Sequence, residues 1–185
     1  MLILENEKNL IELKKKWAKE TARIRKSFAG GDGTITRPYE IETPEQLALM
    51  GEFPKAYYIL TCDINLQGLE WTPITYFSGH FDGNHHAIRH LRIQQGETEV
   101  GLFANLTKTA VVKDLRVVGA EIQGKRNVGI IAGRNHGLII GCSVSGFVEG
   151  YSNINPIVGL RVAGHVTGTV ACDVVVGTPI PAAVA

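Results

Sequence analysis

The sequence has few aromatic residues, no long apolar run and almost no net charge. Aromatic residues make up 7% of the 185 positions, and the formal net charge is +1. No run reaches the ~18 apolar residues of a membrane span. A near-neutral chain also has no overall field that would attract nucleic acid. We therefore expect no membrane span, and the net charge gives no ground to favour a nucleic-acid partner.

The sequence has only three cysteines, and their spacing forms no paired motif. Cys62, Cys142 and Cys172 are odd in number and form no C-x-x-C pair, which argues against a disulfide framework and a thiolate zinc site. Each alternates with apolar neighbours, so three buried, free thiols are predicted. No apolar signal-peptide core follows Met1, so cytoplasmic synthesis as a soluble protein is expected. Localisation stays open, including association with a virion or a cell surface.

Glycine is abundant, and the glycines mark a long-range repeat. A Val-Gly motif begins at Val100, Val128 and Val158, with spacings of 28 and 30 residues. A second motif begins at Asp114, Gly141 and Ala171, with spacings of 27 and 30 residues. Two motifs with nearly the same period indicate one repeating structural unit, which takes precedence over individual strand predictions.

Each unit contains three short strand-like pieces, such as residues 128–132, 138–140 and 142–148, separated by turns. This pattern predicts a mainly β fold, a three-sided parallel β-helix of about four coils. Inward side chains should then stack in ladders between coils. The predicted ladders are Leu91, Leu115, Cys142 and Cys172, and Ile93, Val117, Val144 and Val174.

Two helices are predicted before the repeats. Leu10, Leu13, Trp17, Ile24 and Phe28 recur at helical spacing and predict an amphipathic helix over roughly residues 4–28. Eight Lys or Arg against four Glu make residues 1–28 basic. This apolar stripe could pack on the β-helix, or serve self-association, or contact a membrane or nucleic acid. The second helix begins with a capping box, Thr43 to Gln46, and should cap the first coil.

These elements divide the chain into four segments. They are an attachment or oligomerisation helix (1–29), a linker with the capping helix (30–56), the β-helix (57–178) and a C-terminal tail (179–185). We expect a homo-oligomer, a dimer or trimer, formed by the first helix or by the exposed end of the β-helix.

Several motifs are similar to those of bacterial and phage surface β-helix modules with GLUG-type repeats. They are residues 31–41 (GDGTITRPYEI), 43–47 (TPEQL), 77–84 (FSGHFDGN), 100–103 (VGLF) and 128–135 (VGIIAGRN). The resemblance implies a right-handed parallel β-helix. Such modules occur in adhesin-like proteins, in phage-associated proteins and in IgA1-specific metallopeptidases outside their catalytic part. The basic N-terminal helix has no counterpart in that pattern.

Two sets of polar residues are candidate sites. His80, His85, His86 and His90 fall close together beside Asp82, as in a metal site, but no helical motif organises them, and structural roles are favoured. Asp63, Asp82, Asp114 and Asp173 could include a catalytic pair, but Asp82 lies in a turn-forming Asp-Gly-Asn triplet. We predict no catalytic residue, no metal and no cofactor.

The sequence thus favours a non-catalytic binding or structural module of a phage-derived or bacterial surface assembly, which presents a rigid face to a protein or glycan partner. One alternative is a glycan-cleaving hydrolase or lyase fragment. Another is a small inhibitor or decoy that binds one protein target.

Overall fold

Among the residues that this computed structural model describes, seventeen strands wind into a β-solenoid of about four turns. The structure describes residues 10–16, 18–19, 22–23 and 27–178, without the side chains of residues 95 and 96. The strands are β1 (Tyr39–Ile41), β2 (Tyr57–Leu60), β3 (Ile64–Asn65), β4 (Ile74–Phe77), β5 (His80–Asp82), β6 (Ala87–Arg89), β7 (Arg92–Val100), β8 (Phe103–Leu106), β9 (Val111–Lys113), β10 (Arg116–Val128), β11 (Ala132–Asn135), β12 (Leu138–Ile140), β13 (Ser143–Glu149), β14 (Ser152–Ile154), β15 (Val158–Arg161), β16 (His165–Thr167) and β17 (Val170–Gly177).

Three parallel sheets form the sides of the solenoid. The first has six strands in the order β1-β2-β5-β9-β12-β16, and the second has four in the order β15-β11-β8-β4. The third runs β17-β13-β10-β6-β3, with β7 and β14 also paired to β10. Each strand pairs with its equivalent one coil before or after it, which confirms the predicted three-sided solenoid. The six-stranded sheet begins at β1, inside the segment predicted as linker. The handedness stays a prediction.

Left-handed backbone positions recur at the corners. Asp114, Gly141 and Gly168 follow paired positions of β9, β12 and β16, and all three have positive φ. At another corner Glu99, Asn127 and Asn153 occupy equivalent positions with positive φ. Glycine tolerates this conformation, and Asn and Asp visit it more readily than most other residues. The corners therefore favour Gly, Asn and Asp at these positions.

A stack of glycines lets successive coils approach closely. A Cβ on Gly101 would lie 2.4 Å from the carbonyl oxygen of Gly129, and one on Gly129 would lie 2.6 Å from the nitrogen of Gly159. Such distances are impossible for a real side chain. The repeated Val-Gly motif is thus a packing requirement between coils.

A short helix closes the N-terminal end of the core, as predicted. It is α2 (Pro44–Ala48), and a 3-10 turn (Leu49–Gly51) follows it. The Thr43 hydroxyl accepts from the Gln46 N–H, and the Gln46 side chain accepts from the Thr43 N–H, which completes the capping box. Leu47 and Met50 have no exposed surface, so the helix covers the first coil with apolar side chains.

The first helix, α1, comprises the helical residues 10–16, 18–19 and 22–23. Leu10 and Leu13 of the predicted apolar stripe are 52% and 58% exposed. Trp17 and Ile24 lie outside the described residues. Phe28 is not on the helix: it is buried and stacks on Tyr39 with 4.3 Å between ring centroids. The prediction that the helix reaches residue 28 was wrong, because Ser27 and Phe28 form a turn and a bend.

The predicted inward ladders are correct for the pair of Val117 and Val144 and wrong in register for Ile93, Val174 and Cys172. Val117 pairs with Val144, but Ile93 pairs with Ile122, and Val144 pairs onward with Ala171. The register shifts within β10 and β13, between Val117 and Ala120 in the first pair and between Val144 and Gly146 in the second, so Val174 lies opposite Gly146. The ladders in the structure are Ile64, Ile88, Val117, Val144 and Ala171, and Ile93, Ile122, Val148 and Val176.

Cysteine burial varies along the solenoid. Cys142 is buried, Cys62 is half-buried and Cys172 is exposed, and all three are free thiols. Burial raises the pKa of Cys142 to about 11 and also raises the pKa of Cys62. The prediction that all three are buried was therefore wrong for Cys172, which lies in the last strand.

Candidate functional site

The outward side of the six-stranded sheet, here called the outer face, carries two rows of side chains. Its first row is Tyr57, His80, Val111, Leu138 and His165. Its second row is Glu40, Ile59, Asp82, Lys113, Ile140 and Thr167. Most of the apolar members are only half-buried. Because a sheet face turned to water is normally polar, these rows mark a surface with capacity for binding.

One end of the outer face deepens into a groove of about 280 Å³. It lies where the loop of residues 31–38 meets strands β2, β5 and β9. The outward side chains and loop residues that line it are Ile35, Pro38, Tyr57, Ile59, His80, Asp82, Val111 and Lys113. Ile35 is 71% exposed, so the loop presents an apolar side chain at the groove. We call this pocket the outer-face groove.

Local hydrogen bonds hold the loop wall in place. The Thr34 hydroxyl donates to Asp32 Oδ1 at 2.7 Å, and the Arg37 N–H donates to the Thr34 hydroxyl at 3.2 Å. The hydrogen bond from Thr34 holds the pKa of Asp32 below its ordinary value. The Tyr57 N–H donates to the carbonyl of Gly33 at 3.0 Å, which ties the loop to β2. The groove therefore has a fixed wall that needs little ordering when a ligand binds.

The floor of the groove combines an aromatic stack with an ion pair. The rings of Tyr57 and His80 are parallel within 20°, with centroids 4.4 Å apart. Next to them Lys113 Nζ lies 2.6 Å from Asp82 Oδ2, and this bond raises the pKa of Lys113. Asp82 also accepts from the Asn84 N–H at 2.8 Å, as a turn-forming Asp does. The groove thus offers apolar contact beside one donor and one acceptor.

The four clustered histidines do not converge. His80 stacks on Tyr57, whereas His90 Nδ1 lies 2.9 Å from Asn65 Oδ1 on another sheet. His86 Nδ1 lies 3.4 Å from Asp63, and His85 occupies a left-handed turn position. Within the described ranges, no three His, Cys, Asp or Glu side chains are grouped as metal ligands.

Asp63 is the most heavily engaged of the four candidate aspartates. The Ala87 N–H donates to it at 2.9 Å and Arg89 Nη2 donates at 2.8 Å. These two bonds, the backbone one first, hold the pKa of Asp63 below its ordinary value. Arg116 Nη2 lies 4.0 Å away. A general acid needs a raised pKa, so the surroundings of Asp63 favour a structural carboxylate.

The other three candidate aspartates have different surroundings. Asp82 pairs with Lys113, and Asp114 Oδ2 lies 3.8 Å from the same ammonium group, Lys113 Nζ. Asp173 is exposed at a left-handed position in the last strand. The structure therefore brings Asp82 and Asp114 to one lysine and leaves Asp63 and Asp173 elsewhere.

Sequence reasoning missed the outer-face groove, although a signal was present. The segment Tyr57-Tyr58-Ile59-Leu60 and the segment Leu138-Ile139-Ile140 are apolar at every position. A strand with one solvated face should alternate apolar and polar residues. When every residue of a strand is apolar and one of its faces lies in the core, the face turned to solvent must be apolar as well.

Comparisons with known proteins agree with the solenoid fold. A solved structure from Bacteroides ovatus, assigned as an immunoglobulin A1 protease, is similar with a TM-score of 0.59 and 24% identity. The likeness covers 68% of this chain and 42% of that one, and at this identity it shows the fold alone. No family model matches the chain, so the GLUG resemblance stays a prediction.

Two curated relatives are similar in sequence. Halomucin of Haloquadratum walsbyi is 29% identical over 149 residues, which are 70% of this chain and 2% of that protein. A protein of Evansella cellulosilytica, assigned as a Gly-rich membrane protein, is 32% identical over 133 residues. That match covers 63% of this chain and 15% of the relative. In the described part of this chain, no helix has the length and hydropathy to cross a membrane.

Proposed function

We propose that this chain is a non-catalytic binding and structural module of a bacterial or phage-derived surface assembly. It presents the outer-face groove to a protein or glycan partner. The fold likeness to a protein assigned as an immunoglobulin A1 protease, and the relative assigned as a membrane protein, support a place among surface proteins. The groove itself supports the binding role.

The observation that carries the proposal is the half-buried apolar group of Tyr57, Ile59 and Val111 beside the ion pair of Asp82 and Lys113. Strand β2, which carries Tyr57 and Ile59, pairs with β1 on one side and with β5 on the other, with Glu40 beside Ile59 and His80 beside Tyr57. Tyrosine is enriched among the residues that dominate binding energy, because it combines a large apolar surface with a polar tip. Small-molecule pockets usually exceed about 300 Å³. A groove of about 280 Å³ therefore suits one protruding unit of a larger partner, such as a side chain or a sugar ring.

The test is direct binding of the full chain to arrays of bacterial glycans and of peptides. We expect a reproducible set of positives, whose signal falls at least tenfold in Tyr57→Ala. The matched control is Tyr76→Ala, because Tyr76 is a tyrosine with 62% exposure on the four-stranded sheet. Equal losses in both variants, or no positives on either array, would overturn the proposal.

The same positives test the non-catalytic assignment. Each bound glycan is incubated with the chain and assayed for new reducing ends or unsaturated products. We expect none in the native chain. Turnover that disappears in Asp82→Asn, while binding persists, would assign the groove to a glycan-cleaving enzyme instead.

A further inference from the structure

The polar groups of the outer-face groove are a donor and an acceptor that lie side by side. Lys113 Nζ lies 2.6 Å from Asp82 Oδ2, and the two side chains are 46% and 26% exposed. An ammonium group has three donors, and a carboxylate has about four acceptor sites. Asp82 uses part of this capacity for Lys113 and for the Asn84 N–H. A ligand in the groove therefore meets one free donor position next to one free acceptor position.

The charges around the groove favour an uncharged ligand. Besides the histidine, the charged residues among those that line it are Asp82 and Lys113, whose formal charges cancel. Two more carboxylates lie close by: Asp114 Oδ2 is 3.8 Å from Lys113 Nζ, and Glu40 is the strand neighbour of Ile59. An anionic ligand would be repelled by these carboxylates, and a cationic ligand would compete with Lys113 for Asp82. A neutral ligand avoids both costs.

Apolar surface surrounds the ion pair. Ile35, Ile59 and Val111 line the groove, and Ile35 is 71% exposed. The stacked rings of Tyr57 and His80 cover one face of each other, so the ligand meets the rest of these rings. A ligand must therefore match apolar walls and a donor–acceptor pair at the same time.

The parts of a protein partner match only one of these features. An apolar side chain would cover Asp82 and Lys113 without replacing the water that they lose, and burying polar groups in this way is unfavourable. The amide of an Asn or Gln side chain would satisfy the pair, but it would bring little apolar surface to Ile35 and Val111.

A sugar ring matches both features. Its faces carry carbon-bound hydrogens, which suit apolar walls, and its edge carries hydroxyl groups. Each hydroxyl is both a donor and an acceptor, so one of two adjacent hydroxyls can donate to Asp82 while the other accepts from Lys113.

We infer that the outer-face groove binds an uncharged sugar ring through two adjacent hydroxyls, one donating to Asp82 and the other accepting from Lys113. Ile35 and Val111 contact the carbon-bound hydrogens of the ring. This inference rests on the proposed binding role of the groove and narrows its partner to a neutral glycan. Positives confined to peptides on the arrays would leave the binding role standing and contradict the neutral sugar. No positives of either kind would contradict both.

The first test is saturation-transfer NMR of the full chain with single sugars. The probes are the methyl glycosides of glucose, galactose, mannose and N-acetylglucosamine, together with the matching uronic acids and amino sugars. We expect binding of at least one neutral glycoside, and at least fivefold weaker binding of its uronic acid and its amino sugar. In deoxy analogues, loss of either of two adjacent hydroxyls should weaken binding at least tenfold. Equal binding of neutral and charged sugars, or no binding of the neutral ones, would overturn the inference.

The second test changes the donor and the acceptor in turn. Lys113→Met keeps the length and the apolar stem of the side chain and removes its donors, so the neutral glycoside should bind at least tenfold more weakly. Lys108→Met is the matched control, because Lys108 is an exposed lysine outside the groove, and its affinity should be unchanged.

Asp82→Asn tests the acceptor and keeps an oxygen for the Asn84 N–H, and it should also lower the affinity at least tenfold. The melting temperature of each variant shows whether its fold is retained. Native affinity for the glycoside in either folded variant would overturn the inference.

Discussion

At the N-terminal end of the solenoid Leu47 and Met50 have no exposed surface, whereas at the C-terminal end Val176 is 48% exposed. The difference follows from the kind of residues that form each end. The first coil is covered by α2, a segment outside the repeat, but the last coil is itself a repeat unit. A repeat buries its inward side chains only against a neighbour, so an end needs a non-repeating cap or a partner. The first three predictions below test this contrast.

The largest difference in unfolding free energy should come from placing the same charge in an inner coil and at the equivalent position of the last coil. Val148→Asp puts a carboxylate among fully buried side chains and should cost about 4 kcal/mol of unfolding free energy, or prevent folding. Val176→Asp, one coil further along the same ladder, should cost under about 1 kcal/mol. Urea unfolding at concentrations where the chain is monomeric measures both. Equal losses would show that the last coil is covered within one chain.

Truncating the cap should be the next largest effect. Leu47→Ala removes a fully buried side chain and should cost about 3 kcal/mol. Val162→Ala is the control at the other end, where the side chain is 53% exposed, and should change the unfolding free energy by under about 0.5 kcal/mol. If Leu47→Ala lowered the unfolding free energy as little as Val162→Ala does, α2 would not close the core.

Removing the N-cap should have a smaller effect at the same end. Thr43→Ala deletes the hydroxyl that accepts from the Gln46 N–H and should cost about 1 kcal/mol. The control is Thr167→Ala on the exposed strand β16, because it is the same substitution at a position outside the capping box. If the two variants unfold at the same urea concentration, the capping box does not stabilise the covered end.

The smallest effect concerns Asp63, whose pKa is lowered by the Ala87 N–H and by Arg89. A lowered pKa means that the ionised form stabilises the fold above the ordinary carboxyl pKa, and that this stabilisation is lost as pH falls through the folded-state value. Asp63→Asn should therefore cost under about 1 kcal/mol at pH 7, a cost that shrinks below about pH 4. The comparison is made in a His86→Gln background, which removes the imidazole 3.4 Å from Asp63. A cost independent of pH would rule out the carboxylate as its source.

The repeat period was enough to predict the solenoid, because two motifs with nearly equal spacing require equivalent coils. Strand β12 was predicted at its observed bounds, and the capping box of α2 was read from Thr43 and Gln46. Both signals are local and depend little on distant residues. The strand predicted at 128–132 instead begins at Ala132, because β10 continues through Val128 around a corner.

The ladder register could not be predicted from motif alignment. Aligning Ala171-Cys172 with Gly141-Cys142 puts the two cysteines together, but the structure pairs Ala171 with Val144. The observed register is three residues away from that alignment, and an odd shift turns a side chain from one face of a strand to the other. Bulges in β10 and β13 add one-residue shifts within the strands, and an extra residue of this kind leaves no consistent mark in the sequence.

The candidate site was only partly accessible to sequence reasoning. The histidine and aspartate clusters were visible as residue types, but their separation onto different sheets depends on where the corners fall. The outer-face groove depends on the loop of residues 31–38 folding back onto β2, a contact made by the Gly33 carbonyl. A backbone contact of this kind carries no side-chain signature.

Hydrogen exchange of the full chain, diluted until it is monomeric, tests the contrast between the two ends most directly. A covered first coil and an open last coil predict slow exchange for the amides of β5, β12 and β13, and much faster exchange for those of β16 and β17. Peptide-level mass spectrometry resolves these strands. Exchange in β17 as slow as in β13 would contradict the account, because it would show that the last coil of a single chain is already covered.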